Sequence, residues 1–114
     1  MNEYGFTEAD WKLFRKLLPD WQERYMAGLL EEYKEIILKD EQPSSRFWKL
    51  EERIKNDKKA SGVLIQRISR SEMKFIMMDL LAERVITKAD LEGFSDDYKD
   101  ILSDYCDRVS AHTE

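Results

Sequence analysis

The sequence predicts an all-α fold, a single-domain helical bundle of about four longer helices plus short ones. Three observations predict it. Apolar residues recur at i, i+3, i+4 and i+7 through most of the chain, the period of a helix with one buried face. Residues that cap helices stand before most of these runs. Only four Gly and two Pro occur in 114 residues, too few for the many turns of a β-sandwich. A chain of this length is one domain. Folding buries roughly two-thirds of the surface its unfolded form exposes, and 42% hydrophobic residues are enough to fill a core.

The elements follow in order. Thr7 caps a first helix with Glu8 and Asp10 in its first turn, where the helix dipole favours acid. Trp11, Phe14, Leu17 and Leu18 form its apolar stripe. Pro19 lacks a backbone N–H and disfavours α geometry at Leu18, so a break is expected there. A second helix then runs from about Asp20 to Lys39. Its apolar residues, from Trp21 through Tyr25, Leu29 and Tyr33 to Ile37, cover about half the circumference and suit more than one neighbour.

After a turn at Asp40–Ser44, a third helix reaches about Lys59. Phe47, Leu50 and Ile54 share one face of it and are expected to pack on the rest of the domain. Glu51 and Lys55 are spaced for an i,i+4 ion pair. The Val63–Ile68 stretch is rich in strand-favouring residues. A lone strand would leave its backbone groups unpaired and would need a partner, such as a second subunit, so a helical turn or a packed extended loop is the simpler expectation and a strand stays open.

Ser69-Arg70-Ser71-Glu72 has capping-box spacing before a fourth helix that runs to about Arg84. Met73, Ile76, Met77, Leu80 and Leu81 lie on its main face, and Phe75, Met78 and Ala82 form a second apolar sector. A helix so widely apolar belongs at the centre. Thr87 opens a short helix at about 88–93. Ser95 opens a last one at about 96–110, with Tyr98, Ile101, Leu102, Tyr105, Cys106 and Val109 inside and Asp96, Asp100, Asp104 and Asp107 outside.

Charge divides by segment. The net charge is -5, but residues 46–74 hold nine Lys/Arg against four Asp/Glu, while both flanks are acidic. The candidate interaction residues are therefore Arg46, Lys49, Arg53, Lys55, Lys58, Lys59, Arg67 and Arg70, together with Trp48. Such charge is most simply a solvated face. Its sharper meaning is a patch for phosphate or for an acidic partner. The acidic flanks would repel a nucleic-acid backbone. A helix-turn-helix over Ser69–Tyr105 is disfavoured, because its second helix offers only Lys88 and its third is acidic.

Catalytic chemistry has thin support. The single cysteine, Cys106, excludes an intrachain disulfide and any Cys-rich zinc module. The single histidine, His112, stands near the end of the chain, a poor place for a triad member. There is no glycine-rich phosphate loop and no His-Glu-x-x-His. Glu51-Glu52 and Asp96-Asp97 are adjacent pairs, and adjacent helix residues diverge by about 100°, so neither pair makes a dyad. Residues 90–97 miss the oxygen-ligand spacing of a calcium loop. No catalytic residue, cofactor or metal is expected. No run approaches the ~20 apolar residues of a membrane helix, and no signal-peptide pattern is present, so a cytoplasmic protein without a membrane role is expected.

Two stretches together carry a resemblance. One is Phe47-Trp48-Lys49-Leu50-Glu51-Glu52-Arg53-Ile54 with Asp57, and the other is Val85-Ile86-Thr87-Lys88-Ala89-Asp90-Leu91-Glu92-Gly93-Phe94-Ser95-Asp96. With Trp21–Met26 upstream, the chain resembles a group of small uncharacterised cytosolic proteins of Firmicutes bacteria, over about residues 10–100. The resemblance implies a bacterial cytosolic origin and brings no catalytic residue.

The function expected is that of a non-catalytic binding or regulatory protein acting through helix-mediated protein–protein contacts. Trp48 lies about 130° from the Phe47–Ile54 stripe and needs a cover. Either Trp11 or Phe14 covers it within the chain, or a second subunit does so in a homodimer. Two alternatives stay open. One is a nucleic-acid-associated accessory protein using residues 46–74. The other is a mobile-element-encoded inhibitor whose acidic faces mimic nucleic acid.

Overall fold

In a computed structural model the chain is all helical among the described residues, which are 5–112 for the backbone and 5–108 for the side chains. The elements are α1 (Glu8–Ile37), α2 (Pro43–Asp57), α3 (Met73–Ala82), a 3₁₀ turn (Lys88–Leu91) and α4 (Asp96–His112). The side chains of Val109 and His112 lie outside the described residues.

The break expected at Pro19 does not occur. One helix of 30 residues runs through it. Trp11, Phe14, Leu18 and Trp21 are all buried in the same core, on one stripe that crosses the proline. A proline inside a helix costs about 3 kcal/mol. Burying each large apolar side chain returns about 1.5–3 kcal/mol, so keeping Leu18 and Trp21 in register outweighs that cost. Pro19 itself is exposed, and the Arg15 carbonyl it leaves without a donor can turn to water.

The core lies at one end of the molecule. It joins Phe6 and the first half of α1 to α3, the 3₁₀ turn and α4. Met73, Ile76, Met77, Leu80 and Leu81 are buried, so α3 is the central helix the periodicity predicts. Its second apolar sector is not covered, and Phe75 is exposed. The expected cap at Ser69 is absent. The Ser69 and Ser71 hydroxyls bond each other, and α3 begins after Glu72 without a side-chain cap. The helix ends in a Schellman motif. Val85 N–H donates to Leu80 C=O at 2.9 Å and Arg84 N–H to Leu81 C=O at 3.2 Å. Arg84 takes φ 60° there, where glycine is the usual residue. Val85, buried, packs into the core beyond it.

Capping boxes form at both threonines, Thr7 with Asp10 and Thr87 with Asp90. Asp10 does more than close its own helix. Its carboxylate also accepts from Ser95 N–H at 2.8 Å and Ser95 Oγ at 2.6 Å, tying the start of α1 to the residue before α4. Burial would raise its pKa, but the hydrogen bonds from Ser95 and Thr7 outweigh that and hold it below the usual aspartate value.

The rest of the chain extends away from this core. The second half of α1 and all of α2 form an antiparallel hairpin with no third helix upon it among the described residues. The radius of gyration is 16.9 Å, against about 13 Å for a compact chain of this length. Residues 58–64 turn at the base of the hairpin, through bonds from Val63 and Leu64 N–H to Ala60 C=O. Residues 64–69 then run as irregular chain and not as a strand, with Ile65 packed against the core and Leu64 and Ile68 exposed.

Candidate functional site

The hairpin combines uncovered apolar surface with depressions along its helices, whereas exposed apolar side chains elsewhere include Leu64, Ile68 and Phe75. Within the hairpin, polar side chains tie α2 to α1 beside Leu29 and Tyr33, the buried residues of this half of α1. Tyr33 Oη donates to Asp57 Oδ2 at 2.6 Å, and Arg53 Nε donates to the same oxygen at 2.9 Å. Arg53 also reaches Glu32 at 2.7 Å and lies over the Tyr33 ring. Burial, and then the Asp57 carboxylate, push the Tyr33 phenol up to about 12. At the tip, Arg46 donates to the Ile37 carbonyl at 2.6 Å, and Lys49 pairs with Glu41.

No residue of α2 is fully buried. The Phe47–Leu50–Ile54 face does not reach α3. It lines three adjoining depressions instead. One, of about 310 Å³, lies between the helices among Met26, Leu29, Leu30, Tyr33, Ile54, Asp57, Lys58 and Val63. The next runs over Phe47, Leu50, Glu51, Ile54, Lys55 and Lys58. The third closes the tip around Ile37, Pro43, Phe47 and Leu50. Leu30 is 60% exposed and Phe47 63%. Together they make an apolar groove along one side of the hairpin.

Trp48 is 63% exposed, and its ring meets the Phe47 ring edge-on at 5.0 Å. The cover expected from Trp11 or Phe14 is absent, because both are in the core beside Phe6 and α3. An isolated tryptophan packed on its own neighbour is what remains.

The basic residues divide into two sets. Arg46, Lys49, Arg53 and Arg70 are engaged within the chain, Arg70 with Glu8 and over the Trp11 ring. Lys55, Lys58, Lys59 and Arg67 make no ion pair among the described residues, and the i,i+4 pair expected between Glu51 and Lys55 is not formed. Four of the eight candidate cations are thus engaged within the chain and four, among the described residues, are not. Three lysines at the base of α2 remain together in sequence, two of them on the groove. The outer acids of α4 are partly neutralised, Asp96 by Lys99, Asp104 by Arg108 and Asp107 by Lys88.

Where the hairpin meets the core, polar groups form a clasp that the sequence does not announce. Gln22 Nε2 donates to Ser61 C=O at 3.0 Å, and Ser61 N–H and Oγ both donate to Glu83. Gly62 sits against the Tyr25 ring so closely that a Cβ there would lie 2.4 Å from it. Arg24 forks onto Asp90 and also donates to the Val85 carbonyl. Burial, helped by nearby Glu83, raises the pKa of Asp79. The hydrogen-bonded partners of the clasp are 22 to 66 residues apart in the chain, so no local spacing signals them.

No group of three or more His, Cys, Asp or Glu able to hold a metal occurs among the described residues. Cys106 is half-buried. No helix among them is long and apolar enough to cross a membrane. No protein-family model matches this chain, and neither a curated protein nor a solved structure matches it.

Proposed function

We propose that this is a non-catalytic binding or regulatory protein that acts through helix-mediated protein–protein contacts, with the α1–α2 hairpin as its contact surface. One observation carries the reading. The apolar groove along the hairpin is open, with Leu30 and Phe47 exposed beside it, while the core itself is closed although Phe75 outside it is exposed. An unpartnered apolar face rimmed by polar residues is the usual mark of an interaction surface, and a two-helix groove suits a further helix. Self-association as a homodimer is one form of the same reading, with exposed Phe47 and Trp48 at the contact. The resemblance to Firmicutes proteins fits a cytoplasmic bacterial protein and is proposed with it.

Nucleic-acid binding through residues 46–74 is the weaker reading, since four of its cations are spent on internal partners. Mimicry of nucleic acid by the acidic α4 face is weakened in the same way by its ion pairs.

The test is sedimentation and crosslinking with host extract, comparing wild type with Leu30→Glu and Phe47→Glu. Either a dimer or a specific crosslinked partner, lost in both variants while the helical signal persists, is the expected result. Contacts that survive both substitutions would remove the hairpin from the reading. Turnover of generic ester, phosphoester or nucleotide substrates that vanishes with one carboxylate substitution would overturn the non-catalytic part.

A further inference from the structure

The groove has a length and a charge, and together they describe an occupant. Its ends are marked on α1 by Met26 and Ile37, about 17 Å or three helical turns apart at 1.5 Å per residue, and the depression that joins them is lined from α2 and Lys58. Its floor is aliphatic and aromatic throughout, formed by Leu30, Tyr33, Phe47, Leu50 and Ile54. Its charge is lopsided. Towards the tip, Arg46 and Lys49 already have acceptors. Towards the base, Lys55 and Lys58 line the groove, Lys59 follows them, and none has an acidic partner among the described residues. Glu51 is the one carboxylate beside them on the rim that is not already bonded to the hairpin.

We propose that the groove receives an amphipathic helix of about three turns from another protein, with apolar anchors at i, i+4, i+7 and i+11 and acidic residues flanking the end that lies over Lys55 and Lys58. The proposal rests on the helix-contact reading above and names its partner class. The anchors displace water from the apolar floor. The flanking acids meet cations that have no internal partner, which sets the orientation of the helix and speeds encounter more than it adds affinity. This chain's own acidic helix does not meet the description. Tyr98 and Leu102 of α4 are committed to its own core, and its outward residues are Asp96, Asp100, Asp104 and Asp107.

The test uses two helix-locked peptides of about 15 residues with the same apolar anchors. One carries Glu at the flanking positions and the other carries Lys there. Binding to the full chain is followed by fluorescence anisotropy across a salt series, beside sedimentation of the protein alone. The Glu peptide should bind at least tenfold more tightly than the Lys peptide, and the gap should narrow as salt rises. Leu30→Glu should abolish binding of both. The double variant Lys55→Glu/Lys58→Glu should reverse the preference while unfolding at the wild-type midpoint. Equal binding of the two peptides, or a preference that the double variant leaves unchanged, overturns the proposal. A dimer of the protein alone that Leu30→Glu dissociates, with no peptide binding, makes a second copy the occupant. That outcome overturns the proposal but keeps the helix-contact reading. Neither dimer nor peptide binding, with binding to anionic vesicles instead, overturns both.

Discussion

Met73, Met77 and Leu80 at one end of the molecule and Phe47, Leu50 and Ile54 at the other each lie on one helical face, at i, i+4, i+7 and i, i+3, i+7. The first three lose all contact with solvent, while the second three stay half-buried or exposed. The difference lies in what surrounds them. The α3 stripe is enclosed by α1, α4 and the 3₁₀ turn, whereas α2 has one neighbour, and polar side chains make much of that contact. A stripe at helical period states that a face can be buried. Whether it is buried depends on how many elements the rest of the chain can bring to it.

Substitutions at matched positions break this comparison most sharply. Leu80→Ala should lower stability by about 2–5 kcal/mol, because it leaves a cavity in the enclosed core. Phe47→Ala should change it by under about 0.5 kcal/mol, as at an exposed site. Chemical denaturation of both variants measures the contrast. Equal midpoints for the two would mean that the hairpin and the core are not distinct in packing.

Next in size is Asp10, which locks the two helix starts of the core end. Asp10→Ala should cost on the order of 2–4 kcal/mol, through a lost cap and buried donors left unpaired. The sign with pH follows from a folded pKa lowered below 3.8. The carboxylate's contribution is fully present above that value and is lost as pH falls through the lowered one. Wild type should therefore lose more stability than the variant between neutral pH and strong acid, and titrated denaturation midpoints would show it. Parallel curves would remove Asp10 from the acid response.

The boundary between the two regions is tested at Gly62. A methyl there runs into the Tyr25 ring, so Gly62→Ala should cost about 1–3 kcal/mol. Adding Tyr25→Leu should recover part of the loss. No recovery would assign the cost to the backbone rather than to the ring. The smallest effect is a gain. Arg84→Gly relieves a non-glycine residue at positive φ and should raise stability by about 0.5–1 kcal/mol, read as a small rise in thermal midpoint.

The sequence by itself determined the helical class, the buried face of α3 and the capping boxes at Thr7 and Thr87. Each depends on residues within a few positions of one another, where helical geometry alone sets what meets what. The run after Val63 was ambiguous between strand, helical turn and loop, and tertiary structure made it irregular chain. Of the candidate site, the residue types were legible and their state was not. Arg53 and Lys58 read alike in sequence, but one is tied to Glu32 and Asp57 and the other is unpaired among the described residues. Tertiary structure alone decided that α1 runs through Pro19, because the gain comes from a core assembled out of distant helices. It alone brought Asp10 to Ser95 across 85 positions, and it alone left the hairpin groove open. Local propensity fixes which faces are available, and long-range packing selects among them, because burial is a property of neighbours that the local sequence does not contain.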